Sequence, residues 1–176
     1  LASLAGVLLL GLSAQAQNIQ NGLMAYWNFE NNFQDQINGF DGTENGSEPI
    51  PFVASKPGFG QAIKLNGEDQ YVEITGGEPD DLAFAGGSVS IAGWFKVDTF
   101  DTSWQALVAK GEGSNWRVAR RGTEQGMAYA GGLTDTPTGS DVNDGEWHHF
   151  VAISDANGAE FGTALYIDGT RDAIIE

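Results

Sequence analysis

"SVSIAGWFKV", residues 88–97, alternates apolar and polar side chains over the length of a strand. Val89, Ile91, Phe95 and Val97 share one parity, and Ser88, Ser90, Ala92, Trp94 and Lys96 share the other. Successive side chains of a β-strand point to opposite faces, so a period of two marks a strand with one face in a core. "EWHHFVAISD" (146–155) reads the same way. Trp147, His149, Val151 and Ile153 fall on one side, and His148, Phe150 and Ala152 on the other. The chain's two histidines are therefore expected to point apart, unable to chelate one ion together, and no HExxH pair exists. Each is read as a packed, hydrogen-bonded ring among apolar neighbours.

Working outward, "LMAYWNF" (23–29), "QAIKLNG" (61–67), "QYVEIT" (70–75), "WQALVAK" (104–110), "NWRVARR" (115–121), "GMAYAGG" (126–132) and "TALYIDG" (163–169) read as further short strands. Residues 61–75 are expected to form a hairpin about the Asn66-Gly67 turn. Residues 30–60, rich in Asn, Asp, Gly and Pro, read as long loops. "ALYIDGTRDAIIE" reads as strand, turn, strand at the end of the sequence. Long runs with helical spacing are missing. The 176 residues hold 25 glycines and 11% aromatics, which suits one all-β domain, an antiparallel sandwich or jelly roll.

The absence of cysteine excludes disulfides, thiolate catalysis and cysteine-based zinc sites. A formal net charge of −16 repels phosphate backbones and anionic lipid, so nucleic acid is not an expected partner. Residues 4–12 are apolar and are followed by Ala14-Gln15-Ala16, the pattern of a secretory leader cleaved before Gln17. Residues 1–16 are thus expected to be a partial signal peptide, and 17–176 the domain. The apolar run is too short to span a bilayer, so no membrane insertion of the mature chain is expected. The protein is placed outside the cytoplasm: secreted, periplasmic or at the cell surface.

"GLMAYWNFE", "KPGFGQAIKLNGEDQYVEI", "SVSIAGWFKV", "NDGEWHHFVAIS" and "ALYIDGTR" stand in the order found in laminin G-like domains. Over residues 22–172 the chain resembles that family, part of the concanavalin A-like lectin/glucanase superfamily. The resemblance implies a two-sheet antiparallel jelly-roll sandwich whose sheet face or loop rim binds glycans, proteins or calcium. It also implies that the C-terminal strands of the jelly roll lie beyond residue 176. Fold alone does not settle function, because the superfamily holds enzymes as well as binding modules.

Catalytic constellations are not found within the 176 residues. The superfamily's glucanases carry E-x-D-x-E on one strand face, and glycoside hydrolysis needs such facing carboxylates; that pattern is missing here. The nucleophile elbow and the Walker A loop are missing as well. The function read from the sequence is a secreted, non-catalytic module recognising extracellular carbohydrate or protein. The alternative is a glycoside hydrolase or polysaccharide lyase whose catalytic residues lie beyond residue 176. Trp27 and Trp147 are assigned to the core, and Trp94 to either core or concave sheet. Trp104, Trp116 and Arg117, around a Gly-rich turn, are the candidate ligand-binding residues. In "DQINGFDG", Asp35, Asn38 and Asp41 supply closely spaced oxygens between glycines, either for a calcium ion or as caps of their own turns.

Overall fold

The computed structural model describes residues 20–75, 81–84, 87–111, 115–131, 134–155 and 162–175. The leader assigned to residues 1–16 lies outside them. Eleven strands appear in the described residues: β1 (Gly42–Asn45), β2 (Phe52–Ala54), β3 (Gln61–Ile63), β4 (Tyr71–Ile74), β5 (Val89–Lys96), β6 (Ala106–Ala109), β7 (Trp116–Arg120), β8 (Met127–Gly131), β9 (Trp147–Ser154), β10 (Thr163–Ile167) and β11 (Thr170–Ile175). All pairings are antiparallel. A four-stranded sheet runs β11-β10-β9-β5 and a three-stranded sheet runs β6-β7-β8, with smaller pairs β1-β4 and β2-β3. The architecture is the expected all-β sandwich of the jelly-roll type.

The two larger sheets bury one core. Phe95, Phe150 and Leu165 reach it from the four-stranded sheet, and Val118, Met127 and Tyr129 from the three-stranded one. The alternation read in residues 88–97 is the alternation seen, with Phe95 buried and its neighbours Trp94 and Lys96 exposed. β5 and β9 pair with Gly93 opposite Phe150, Trp94 opposite His149 and Phe95 opposite His148. The histidine rings accordingly leave the sheet on opposite faces. Tyr129 is fully buried and its hydroxyl meets Ser154 Oγ at 2.8 Å across the core. Burial raises its phenol pKa, a shift the bond to Ser154 partly offsets.

Arg120 is a buried cation satisfied by carbonyls. Its guanidinium donates to Thr102 O at 3.0 Å, Glu124 O at 2.7 Å and Thr123 O, and its carbon lies 4.9 Å from the Phe100 ring centre. It thereby ties the 100–102 segment to the turn after β7. Asp168 (φ 50) and Gly169 (φ 80) make the two-residue turn of the β10–β11 hairpin. Both left-handed conformations suit the type I′ turn that an Asp-Gly pair favours.

Several expectations need correcting at the N-terminal side. Residues 61–75 do not form a hairpin: β3 pairs with β2, and β4 pairs with β1. The reason is the corner between them. Asn66 Oδ1 accepts the backbone N–H of Glu68, Asp69 and Gln70, an Asx-capped bend that sends the chain from one strand pair to another. Residues 30–60, read as loop, contain β1 and β2. Residues 23–29 make a single bridge, Trp27 to Asp35, instead of a strand. Trp27 is half-buried and donates its Nε1–H to Phe40 O at 2.8 Å.

Gly93 lies directly beneath the Phe150 ring, where a Cβ would stand 2.9 Å from its nearest ring carbon. The ring is buried in the core and has no room to withdraw. Gly93→Ala is expected to destabilise the fold by about 1–3 kcal/mol, the usual cost of overpacking. Urea melts of both proteins check this, and equal midpoints would refute the packing argument.

Candidate functional site

The face of the four-stranded sheet that points away from the core carries Trp94 and Lys96 on β5, Trp147 and His149 on β9, and Tyr166 on β10. An open cleft of about 400 Å³ lies on this face, lined by Lys56, Trp94, Trp147, His149 and Asp168. Trp94 is 37% exposed, which settles its assignment to a sheet surface. Its ring centre lies 4.9 Å from that of His149 and 5.4 Å from that of Phe59, both tilted.

Lys56 and Phe59 arrive on the loop between β2 and β3. Lys56-Pro57-Gly58-Phe59 is a turn closed by Phe59 N–H to Lys56 O at 2.9 Å, with Gly58 at φ 89. Proline at the second position and a left-handed glycine at the third are what a type II turn requires. Glu30 fixes the loop from below, its Oε1 accepting the Gln61 N–H at 3.0 Å. A side chain at Gly60 would collide with the Glu30 carboxylate, so glycine is needed there. The Lys56 ammonium then sits 3.6 Å from the centre of the Trp94 ring.

Asp168 closes the cleft from the hairpin turn. Its Oδ1 accepts the backbone N–H of His149 at 2.9 Å, and its Oδ2 meets His148 Nδ1 at 2.8 Å. The other ring nitrogen of His148 lies 3.1 Å from Asp144 Oδ1, in the turn before β9. A neutral imidazole has one N–H, so the form that satisfies both carboxylates is the imidazolium. Burial alone would lower the His148 pKa, but the bonds to Asp168 and Asp144 and their charges outweigh it and raise the pKa above the ordinary histidine value. Burial pushes Asp168 up, and the N–H of His149 and the ring of His148 more than reverse this, leaving it below the usual carboxylate range. Asp144 is lowered by the Glu146 N–H and then by His148.

The residues read as ligand-binding from the sequence stand elsewhere, on the three-stranded sheet. Trp104 is 38% exposed, at φ 59, with the Arg117 and Arg121 guanidinium carbons 4.6 and 5.3 Å from its ring centre. Arg117 is also bound to Asp135, with Nη2 3.1 Å from each carboxylate oxygen. Trp116 does not join this cluster. It packs against the core, its Nε1–H donating to Leu82 O at 2.7 Å. The structure thus brings Trp104 and Arg117 together and separates Trp116 from them. The assignment of Trp147 to the core is corrected, because its ring lines the cleft. Lys56, His149 and Asp168 were missed as site residues. The parity of β9 puts Trp147 and His149 on one face, which was the available signal.

The loop read as a calcium site spends its oxygens on its own backbone. Asp35 is 8% exposed; Oδ1 accepts the N–H of Tyr26 and Ile37, and Oδ2 those of Asn38 and Phe40. Burial would raise its pKa, and these four amides outweigh that and lower it. Asp41 Oδ1 accepts the Asp35 N–H at 2.9 Å, and the Asn38 amide donates to Met24 O at 2.8 Å. A calcium ion at Asp35 would sit against the hydrogens of those amides, so Asp35, Asn38 and Asp41 as arranged do not fit one. Among the described residues no group of three or more His, Asp or Glu side chains is placed to hold a metal.

Two outcomes follow from these geometries. Asp35→Asn keeps the size but turns an NH₂ toward amide hydrogens; a stability loss of about 2–4 kcal/mol is expected. Thermal melts should show that loss equally in calcium and in chelator, and a calcium-dependent shift in the wild type would restore the metal reading. For His148, the folded-state pKa is the raised one, so its contribution is complete below about pH 6.5 and declines as pH rises through the folded value. Wild-type stability minus that of His148→Asn is expected to fall as pH rises from about 6.5 through the raised folded-state pKa. A difference that is flat or rises across that window would show that the two carboxylates do not hold the charged ring.

Comparison with known proteins accords with this architecture. The laminin G-like family model, described as concanavalin A-like lectin/glucanases superfamily, matches residues 66–175, a segment that runs from the Asx-capped corner through β11. No curated protein and no solved structure matches the chain. The match covers more than half of the sequence and contains the whole four-stranded sheet: the chain belongs to the laminin G-like domains of the concanavalin A-like lectin/glucanase superfamily.

Proposed function

We propose that the chain is an extracellular, non-catalytic recognition module that seats a carbohydrate in the cleft on the outer face of the four-stranded sheet. The observation that carries this reading is the gathering of Trp94, Trp147 and His149 with Lys56 and Asp168 around one open depression. Indole faces bury the C–H surface of a sugar ring, and polar groups at the rim orient its hydroxyls. Trp94 and His149 sit on paired strands, so the platform is held by a sheet and not by loops. Export, expected from the apolar stretch ending at Ala16, belongs to the same proposal.

Recognition is favoured over hydrolysis by the acids of the site. Cleaving a glycosidic bond takes two carboxylates facing each other across it. Among the described residues Asp168 is the one carboxylate lining the cleft, and both its oxygens are engaged by His148 and His149. It serves as a strut. The Trp104 cluster is the weaker candidate, since one of its two guanidinium groups is already paired with Asp135.

A glycan array probed with the 176-residue chain tests the proposal, followed by titration of the best ligand. Trp94→Ala is expected to weaken that binding tenfold or more, about 1.4 kcal/mol, while Trp104→Ala leaves it unchanged. Loss on the Trp104 substitution alone would move the site to the other sheet. Capture of a protein but of no glycan would replace the carbohydrate reading.

A further inference from the structure

We infer that the cleft selects glycans bearing an isolated carboxylate, a uronic acid set among neutral sugars, and that Lys56 reads that group. The inference rests on the carbohydrate reading above and adds the charge of the ligand.

The starting point is a cation without an anion. The chain has 24 Asp and Glu against 8 Lys and Arg, yet among the described residues the Lys56 ammonium makes no hydrogen bond and no ion pair. Its ammonium rests over the Trp94 ring at 3.6 Å and lies 5.4 Å from the Phe59 ring centre. The ring quadrupole attracts the charge and restrains the side chain, but it leaves N–H donors without acceptors. The type II turn and the Glu30 anchor restrain the backbone that carries it. An ammonium held in this way is preorganised for an acceptor that arrives with the ligand.

The remaining charges of this face agree. Lys96 on β5, opposite Trp147, and Arg171 on β11, opposite Tyr166, also lack a carboxylate partner among the described residues. Asp168, which also lines the cleft, spends its oxygens on the His148 ring and the His149 N–H, and no ion pair joins it to Lys56. The Lys56 ammonium is thus open to an acceptor within the cleft of a strongly acidic protein. A ligand carboxylate there gains charge-assisted hydrogen bonds from Lys56. A cationic sugar supplies no acceptor of that charge and meets a like charge instead. A densely charged polyanion meets the long-range repulsion of a chain at −16, which a single carboxylate feels least.

The test is an array of matched pairs, each a glycan with one glucuronic or galacturonic acid residue and its carboxyl-reduced, neutral counterpart. The uronate member of the pairs that bind is expected to bind about three- to tenfold more tightly, in the range of a partly exposed charged contact. Lys56→Met should bring that ratio to about one. Lys64→Met, the same change of net charge just past the end of β3 remote from the Lys56 loop and outside the cleft lining, should leave the ratio as it is. Equal or tighter binding of the neutral members, or a ratio that survives Lys56→Met, overturns the inference while the carbohydrate reading stands. Binding to no glycan of either kind overturns both.

Discussion

The carboxylate of Asp168 joins three segments at one point. It stands in the β10–β11 turn, accepts the backbone N–H of His149 on β9, and meets the ring of His148, whose far nitrogen reaches Asp144 in the turn before β9. The two turns at this end of the four-stranded sheet are thereby fastened to the strand that carries the cleft. Asp168 is placed there by a left-handed backbone conformation that a type I′ turn requires and that aspartate tolerates better than most residues. The adjacent histidines divide the labour through strand alternation. His148 turns in against Phe95 and carries the charge; His149 turns out against Trp94 and helps to line the site.

Charge is distributed unevenly over this sandwich. Carboxylates hold the turns: Asp35 gathers four backbone amides, Glu30 supports the Lys56 loop, and Asp69 caps the bend near Asn66 by accepting the Ser47 N–H at 2.7 Å. Many of the acids that make the chain so negative therefore substitute for the regular ladders that short strands cannot supply. The cations have another pattern. Arg120 is buried on carbonyls and Arg117 is paired with Asp135, whereas Lys56 lines the cleft and Lys96 and Arg171 stand on the outer face of the same sheet.

Much of this fold could be read from parity alone. β5 and β9 show period two over eight residues each, and the structure keeps both faces as read. The N-terminal third was harder, because its strands are three or four residues long and the segments between them are shaped by Asx side chains. An Asn-Gly pair between two apolar runs looks like a hairpin turn, and here Asn66 uses its side chain to break the pairing instead. The site was less legible than the fold. Which outer-face residues meet depends on the register that sets Trp94 against His149, and on a loop from 38 residues earlier, carrying Lys56, that folds over the sheet. Register and loop docking are tertiary facts that no local pattern encodes. The pairing of Trp104 with Arg117 was visible in part, since both flank the same turn, but the inward orientation of Trp116 follows from strand parity beside Val118 and could have been predicted from it.

The buried Arg120 and the Asp144–His148–Asp168 cluster are neighbours along the chain's contacts. Glu124 holds the Arg120 guanidinium with its carbonyl, and the next residue, Gln125, accepts the N–H of Val142, two residues before Asp144. The two fastenings differ in kind: Arg120 rests on main-chain carbonyls, which carry no titrating proton, whereas the other is built from two carboxylates and an imidazole. Acid protonates the two aspartates and alkali discharges the ring, so both extremes weaken the contacts that tie the β10–β11 turn to β9, the strand that carries Trp147 and His149.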